Sequence, residues 1–311
     1  MANKLHTGQM QPLKIRLKEQ RVLFLMLLPG VIAVAVFAYA PLFGWIMAFT
    51  DYRLGDNIFH GSWVGFRYFR EFFFDTRDAG RVLRNTVSIN ILGIVINLVL
   101  ACLLAILINE MRMKRFRSIV QSATLFPFFI SLPIVYILFS TFLSYNGVLN
   151  NVMLGTFWER RIDFLGSEFW AWPLILTVNA WRHVGYNAVL FLAALAAISP
   201  ELFESAEIDG ANRFQRIRYI TLPHIVPTMM VLLLLNLGWI FSSQFEQFYL
   251  FTNAINRRNM EVFDVYIFRF GIGRMDFSYA TAVGVVRSVA QLSFLVIINF
   301  VSKKVTGHGL F

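Results

Sequence analysis

Residues 199–227 read SPELFESAEIDGANRFQRIRYITLPHIVP and lie between two long apolar stretches. Helix-to-helix connections in bundles usually take about 2 to 8 residues, so this segment is several times longer than a plain connection. Ser199 and Pro200 form a typical helix start, and Gly210 stands where a helix ending in a left-handed glycine would end. The pattern therefore predicts a first helix from Pro200 to just before Gly210.

A second helix is predicted from about Ala211 to Tyr219. Its apolar residues recur at helical spacing, with arginines between them. Pro223 and Pro227 are expected to end it, because proline lacks a backbone N–H and clashes with the preceding turn. The 199–227 segment is thus predicted to be a helix-turn-helix outside the lipid, a shape suited to docking into a partner's groove.

The composition of the chain as a whole indicates a membrane protein. Its 311 residues are 57% hydrophobic and 15% charged, with 33 phenylalanines and a mean hydropathy of +0.61. Soluble domains carry about 25% charged residues. The single cysteine, Cys102, excludes an intramolecular disulfide and a cysteine-based zinc cluster. The net charge of +10 is better explained by cations beside membrane spans than by nucleic-acid binding.

Six stretches are long and apolar enough to cross a bilayer as helices, which need about 20 residues each. The predicted spans are Val22–Phe49, Val87–Ile108, Ile119–Leu143, Phe169–Ile198, Val226–Leu250 and Tyr279–Val301. The fold class is therefore an all-α integral membrane protein. Residues 1–21 form an N-terminal segment, 22–301 the transmembrane domain and 302–311 a tail.

The distribution of cations predicts the orientation. Every lysine falls on the side that holds the N-terminus, the 199–227 segment and the tail. The positive-inside rule therefore predicts that both termini are cytoplasmic. Trp158, Trp170 and Trp172 are expected to form an aromatic belt at the opposite interface. Residues 51–84 are polar and rich in aromatics, and we expect an extracytoplasmic cap with a short amphipathic helix there.

The 199–227 segment also carries a specific motif. Its matching positions are Glu204, Ser205, Ala206, Asp209, Gly210, Ala211, Ile220, Leu222, Pro223 and Pro227. They resemble the coupling loop of permease subunits in binding-protein-dependent ABC importers, which has Glu-Ala-Ala, then Asp-Gly-Ala, then Ile-x-Leu-Pro and a further proline. Ser205 departs from the pattern, where the family has alanine, another small residue.

The resemblance covers nearly the whole chain. The stretches LLPGVIAVAVFAYAPLFGWIMAFTDYRLG, WVGFRYFREFF and RNTVSIN are similar to the maltose-type carbohydrate-uptake class, particularly its oligosaccharide and polysaccharide branch. This resemblance implies a six-helix type I ABC importer permease in the bacterial inner membrane. It also implies a second related permease, two cytoplasmic ATPase subunits and an extracytoplasmic solute-binding protein as partners.

The chain itself has no GxxxxGK[ST] phosphate loop. It is therefore not expected to be an enzyme or to bind a cofactor, and the resemblance assigns ATP and Mg to the partner ATPase subunits. Within this family the 199–227 segment would sit in a cleft of the ATPase and transmit its closure to the spans.

Polar and aromatic residues inside spans are candidates for a solute path, because they are costly unless they line a cavity or pair. In maltose-type permeases the sugar is held by the spans that flank the coupling loop. By that resemblance the candidates are Asn179, Arg182, His183, Tyr186, Asn236, Trp239, Phe245, Glu246 and Gln247. Sugar hydroxyls suit amide and carboxylate partners, and aromatic rings suit the CH faces. The alternative is that these residues bond neighbouring helices.

Three charges inside spans should face a cavity, a partner or an interface, since lipid exposure costs about 2.5 to 3.5 kcal/mol or more. They are Arg182, Glu246 and Arg287. We expect Glu246 to pair with Arg182 or with Arg287.

Three other functions compete with a saccharide permease. An ABC permease for another small solute, such as an amino acid or peptide, shares the motif. An ion-coupled secondary transporter would use the intramembrane charges but leaves the 199–227 motif unexplained. An integral-membrane enzyme is disfavoured because the sequence has no HExxH motif, no cysteine pair and no assembled catalytic group.

Overall fold

A computed structural model describes residues 20–76, 78–154 and 161–306. Nearly all of the predicted N-terminal segment, Trp158 and residues 307–311 of the tail lie outside the described residues. The helices are α1 Arg21–Val34, α2 Arg67–Arg70, α3 Asp78–Asn109, α4 Lys114–Leu125, α5 Leu132–Leu143, α6 Ala171–Ala196, α7 Pro200–Ile208, α8 Arg213–Arg216, α9 Leu222–Leu237, α10 Phe245–Phe251, α11 Arg257–Met260, α12 Phe263–Gly271 and α13 Phe277–Thr306. Two short strands, β1 Thr50–Asp51 and β2 Ser62–Trp63, pair antiparallel.

Irregular helical turns extend several of these elements. A π-turn and a 3₁₀ stretch carry α1 on through Ala35–Tyr39 and Ala40–Phe49. Further π-turns occupy Glu71–Asp75, Leu149–Leu154 and Ile217–Thr221, and a 3₁₀ turn covers Phe126–Phe129. The chain is helical almost throughout the described residues, as the sequence predicts.

In the described part of the chain, four helices are long and apolar enough to cross a membrane, and up to six if each bent pair forms one span. The six predicted spans agree with the upper end of this range. The predicted third span is not one straight helix, because α4 and α5 meet at 103° around the turn that contains Pro127. The predicted fifth span is broken too, since residues 238–244 between α9 and α10 leave helical geometry.

The centre of the bundle is the packing of α3 against α6. Small residues of the two helices, such as Ala101, Ala105 and Ala188, are fully buried where they meet, and larger side chains fill the space on either side. Close approach of helices through small residues is typical of membrane proteins, where van der Waals packing drives association.

The predicted extracytoplasmic cap contains the two strands and α2. Tyr68 of α2 donates a hydrogen bond to Asp51 Oδ1 over 2.9 Å and so ties the helix to the strands. Burial, together with the neighbouring Asp51 carboxylate, raises the pKa of Tyr68 to about 12. The phenol therefore stays protonated and remains a donor at neutral pH. The sequence predicted the short helix but not the strand pair.

Gly185 allows α6 to touch the end of α4. A Cβ at this position would overlap the backbone carbonyl of Thr124. Backbone cannot withdraw as a flexible side chain can, so only glycine fits at this crossing.

We expect Gly185→Ala to destabilise the protein by about 1 to 3 kcal/mol, the usual cost of overpacking. The measurement is the thermal unfolding midpoint of the purified protein in detergent. Gly80→Ala is the matched control, since Gly80 is also helical and a Cβ there meets nothing within 4 Å. Equal midpoints for the two variants would contradict the close crossing.

Candidate functional site

A cavity of about 360 Å³ lies between α3, α6 and the broken fifth span. Its volume falls within the range of small-molecule sites. The polar lining residues are Asn90, Asn97, Asn179, His183, Asn187, Asn236, Ser242, Gln244 and Gln247. Among the described residues that line it there is no Asp, Glu, Lys or Arg.

The break at 238–244 forms one wall of this cavity. Three side chains from three other helices bond its backbone. Asn90 Nδ2 donates to the Ile240 carbonyl over 2.7 Å, and Gln291 Nε2 donates to the Gly238 carbonyl over 3.4 Å. Asp264 Oδ2 accepts from the Ser243 N–H over 2.9 Å. Non-helical backbone inside a bilayer is tolerated where protein groups satisfy it or where it lines a cavity, and here both conditions hold.

Amide side chains hold the opposite wall. Asn97 Nδ2 bonds Asn179 Oδ1 over 2.5 Å, which joins α3 to α6. Gln247 is 1% exposed, and its Nε2 donates to the Ile175 carbonyl over 3.2 Å. The Oδ1 of Asn97 and the Oε1 of Gln247 are buried without a protein partner in the described structure. Both oxygens are enclosed within the wall, so a hydroxyl donor reaches them only if the surrounding side chains move.

Aromatic rings line the same cavity. Phe128 stacks on Tyr186 with ring centroids 4.3 Å apart and planes 13° from parallel. The edge of His183 meets Phe128, and Gln244 bonds the His183 ring nitrogen over 3.0 Å. Trp239 is 68% exposed at the break. The cavity thus combines amide groups with flat apolar surfaces, which together can hold the hydroxyls and CH faces of a sugar ring.

The predicted solute-path residues divide into two groups. The cavity brings together Asn179, His183, Tyr186, Asn236, Trp239 and Gln247. The other three, Arg182, Phe245 and Glu246, do not line it. Phe245 lies in a separate groove beside α12 and α13, where it stacks on Tyr249. The helical break rotates Phe245 and Glu246 away, because the fifth span is not the single helix on which their position was predicted.

The prediction that Glu246 pairs with Arg287 is wrong. Arg287 instead forms an ion pair with Asp264 of α12. The Arg182 guanidinium faces the carbonyls of Phe128 and Ile130 at 3.5 and 3.4 Å. Glu246 is exposed and makes no ion pair with any described residue. The bend between α4 and α5 supplies the carbonyls that Arg182 contacts, and the Glu246 carboxylate attracts the Arg182 charge without forming an ion pair.

Sequence reasoning missed several residues of the cavity, among them Asn90 and Asn97 of α3 and Phe128 of the 3₁₀ turn. A signal for the first two was present, since asparagines seven residues apart lie on one helix face within an otherwise apolar span. Phe128 carried no such signal, because its position depends on the 103° bend.

The 199–227 segment begins as predicted. After α7 ends at Ile208, Gly210 adopts φ +77°. Gly210 N–H bonds the Glu207 carbonyl and Ala211 N–H bonds the Ala206 carbonyl, which is a Schellman ending. Asn212 then caps α8 reciprocally with Gln215. Glycine at 210, with two caps in succession, makes this turn stiff.

The second half of the segment differs from the prediction. Pro223 and Pro227 do not end the second helix, because the chain runs helically from Arg213 to Leu237. A π-turn at Ile217–Thr221 leads directly into α9, and Pro223 lies just after it, within the continuous helix. Pro227 lies inside α9, as membrane helices tolerate. The segment is therefore a short helix, α7, joined by the turn at Gly210 to the beginning of the helix that continues into the membrane as α9.

One ion pair joins the segment to the bundle, and a second lies within the segment. Arg213 pairs with Glu110, just beyond the end of α3, at 3.2 Å, and Arg216 pairs with Glu207 of α7 at 3.3 Å. Ile220 packs against the core formed by α3 and α6, whereas Leu222 is 40% exposed.

One face of the segment is left uncovered. Ile208 is 87% exposed, Phe214 71% and Tyr219 69%. Glu204, Ser205 and Asp209 are exposed as well, and neither carboxylate forms an ion pair within the described structure. Large apolar side chains next to acidic groups on a stiff turn are typical of a docking surface.

Comparison with known proteins agrees with this arrangement. Residues 93–307 match the family described as binding-protein-dependent transport system inner membrane component. Protein LplB of Bacillus subtilis (strain 168) is 38% identical over 296 residues, which cover 95% of this chain and 92% of LplB. The polygalacturonan/rhamnogalacturonan transport system permease protein YteP of the same organism is 36% identical over 299 residues, covering 96% of this chain and 93% of YteP.

A solved structure shares the whole fold. A chain in the crystal structure of a bacterial alginate ABC transporter, in complex with an alginate pentasaccharide-bound periplasmic protein, aligns with a TM-score of 0.87 and 35% sequence identity. The alignment covers 96% of this chain and 100% of that chain.

We expect removal of one member of the Asp264–Arg287 pair to destabilise the protein more than removal of both. Arg287→Met leaves a largely buried carboxylate unpaired, at a cost of up to about 3 kcal/mol, whereas Arg287→Met with Asp264→Asn leaves no charge and keeps an acceptor for the Ser243 N–H. Thermal midpoints of the two variants in detergent test this. A double variant less stable than the single one would contradict the pairing.

Proposed function

The chain belongs to the binding-protein-dependent transport system inner membrane components, and from this membership we propose that it forms one half of the path along which an ABC importer carries a saccharide. The cavity beside the broken fifth span carries the proposal. Its amides and its stacked rings suit a molecule rich in hydroxyls and CH faces. The uncharged lining disfavours an ion or a free amino acid, whose charges need charged or metal-like partners.

The names of the relatives point to the same class of solute. YteP is named for polygalacturonan and rhamnogalacturonan, and the solved transporter was crystallised with an alginate pentasaccharide bound to its periplasmic protein. We propose an oligosaccharide for this chain, delivered by an extracytoplasmic solute-binding protein. An ABC permease for an amino acid or peptide is the alternative.

The proposed assembly contains a second, related permease and two ATPase subunits. The exposure of α1 supports the second permease, because α1 has no buried residue within this chain and offers its whole surface to lipid or to a partner. The absence of a phosphate loop from the sequence supports the two ATPase subunits, since ATP and Mg must then bind to subunits other than this chain.

The proposed orientation has both termini in the cytoplasm. It follows from the cation distribution, and it brings the 199–227 segment to the side where ATP is hydrolysed. The exposed face formed by Ile208, Phe214 and Tyr219 would then enter a cleft of the ATPase. The continuous helix from Arg213 to Leu237 would carry a movement of that face directly to the break at 238–244 and so to the cavity.

We expect labelled oligosaccharide to enter proteoliposomes only when ATP, the ATPase subunits and the solute-binding protein are all present. Gly210→Pro should abolish uptake, because proline cannot adopt φ +77° and cannot donate the bond to Glu207. Glu204→Ala should weaken coupling without unfolding the chain, because Glu204 is exposed and has no ion pair among the described residues.

Glu201→Ala is the matched control for Glu204, since Glu201 is an exposed glutamate of the same helix outside the motif. Uptake that persists without the ATPase would overturn the proposal. Competition by unlabelled sugars, amino acids and peptides then separates the proposed solute from its alternative.

We expect Asn179→Leu to reduce saccharide transport about tenfold or more, because it removes a hydrogen-bonding group from the cavity and one of the two acceptors of the Asn97 amide. Phe245→Leu is the control, since the structure turns Phe245 into a different groove. Initial uptake rates across saccharide concentrations give the comparison. If Phe245→Leu impairs saccharide affinity and Asn179→Leu does not, the solute path lies elsewhere.

A further inference from the structure

A second, basic pocket lies at the end of α3 remote from the 199–227 segment. Its volume is about 480 Å³, and it is lined by Thr76, Asp78, Gly80, Arg81, Arg84 and Arg258. Three guanidinium groups thus face one carboxylate. The function proposed above makes no use of this pocket.

Two of the three cations of the pocket are not neutralised. Arg81 is paired with two carboxylates, Asp78 at 2.7 Å and Glu261 at 3.0 Å. Arg84 contacts only neutral oxygens, those of Asn85 at 3.0 Å and Asn259 at 3.3 Å. Arg258 is exposed, and neither Arg84 nor Arg258 forms an ion pair within the described residues. The pocket is therefore suited to an anion with several oxygens.

The depth of the pocket matches lipid headgroups. Arg84 precedes Val87, the first residue of the predicted second span, by three positions, or about 4.5 Å along the helix. The headgroup layer adds several ångströms on each side of the hydrocarbon. Trp172 lies beside Arg84, with the guanidinium carbon 5.9 Å from the ring centroid. Tryptophan is enriched at this interface.

An apolar stripe runs directly below the pocket. Ile91 and Val95 follow Arg84 by seven and eleven residues and so lie on the same face of α3, about 20° to either side of it. They are 39% and 48% exposed. The cavity residues Asn90 and Asn97 lie on the other side of α3. A basic pocket above an exposed apolar stripe has the two parts of a phospholipid site, one for the headgroup and one for the chains.

We propose that this pocket binds the phosphate-containing headgroup of an anionic phospholipid, whose acyl chain lies along Ile91 and Val95. The site is separate from the saccharide path. A lipid bound there would fasten the first turns of α3, together with α11, to one leaflet of the membrane. In the proposed orientation this is the extracytoplasmic leaflet.

The test uses the assembled transporter and phosphatidylglycerol as the probe, with phosphatidylcholine as the zwitterionic comparison. Native mass spectrometry measures how many lipids each complex retains as lipid is titrated. Wild type should retain phosphatidylglycerol in preference to phosphatidylcholine. Arg84→Gln with Arg258→Gln should weaken phosphatidylglycerol binding about 30-fold at low salt, since each cation near an anionic surface contributes about 1 kcal/mol.

Arg53→Gln is the matched control, because Arg53 is an exposed arginine outside the pocket, and it should bind phosphatidylglycerol as wild type does. Arg84→Lys with Arg258→Lys should retain most of the binding, which separates loss of charge from misfolding. Equal retention of the two lipids by wild type would overturn the proposal. So would a glutamine double variant that keeps its lipid affinity and loses only affinity for the solute-binding protein, since the pocket would then be a protein docking surface.

Discussion

The structure depends on the requirement that backbone groups inside a bilayer be paired. Residues 238–244 leave the helix in the middle of a span, which in lipid would expose unpaired carbonyls and N–H groups. Asn90, Asp264 and Gln291 prevent this, each from a different helix. Arg287 then balances the charge of Asp264. The broken span and its polar supports therefore form one unit, and the cavity exists because α9 and α10 separate there.

The same unit explains the chemistry of the cavity. The charged residues that support the break, Asp264 of α12 and Arg287 of α13, line the separate groove beside these two helices and not the cavity. The groups that remain towards the cavity are amides, one histidine and aromatic rings. A solute that follows the proposed path would therefore meet groups that bind it by modest hydrogen bonds and ring contacts. Such weak binding suits a transport path, because a solute that is held too strongly is not released.

The 199–227 segment is rigid at one end and continuous with the membrane helix at the other. The Schellman ending at Gly210 and the cap at Asn212 fix the turn, and the ion pair of Arg213 with Glu110 fastens it to the end of α3. In the proposed function, the helix that continues past both prolines to Leu237 would carry a displacement of the turn towards the break. Stiff elements of this kind are what carry a mechanical signal between distant parts of a protein.

The sequence by itself determined the features that depend on local chemistry. The apolar lengths predicted helices that cross a bilayer, and Gly210 predicted the end of α7, since only a left-handed residue closes that turn. The motif around Glu204 and Asp209 predicted the family, and the polar face of Asn179, His183 and Tyr186 predicted one wall of the cavity. In each case the information lies within one turn or one helix face.

Tertiary structure decided whatever depends on groups distant in sequence. The break at 238–244 is bonded by Asn90, Asp264 and Gln291, and beyond it Phe245 and Glu246 do not line the cavity with the other predicted residues. The pairing of Arg287 with Asp264 followed from the packing of α12 on α13, which no local pattern reveals. Proline predicted a helix end by its missing N–H, yet the π-turn and the surrounding bundle accommodate Pro223 and Pro227 within one continuous helix. The free energy of pairing polar groups in lipid exceeds these local preferences, and only the assembled bundle shows which partners are within reach.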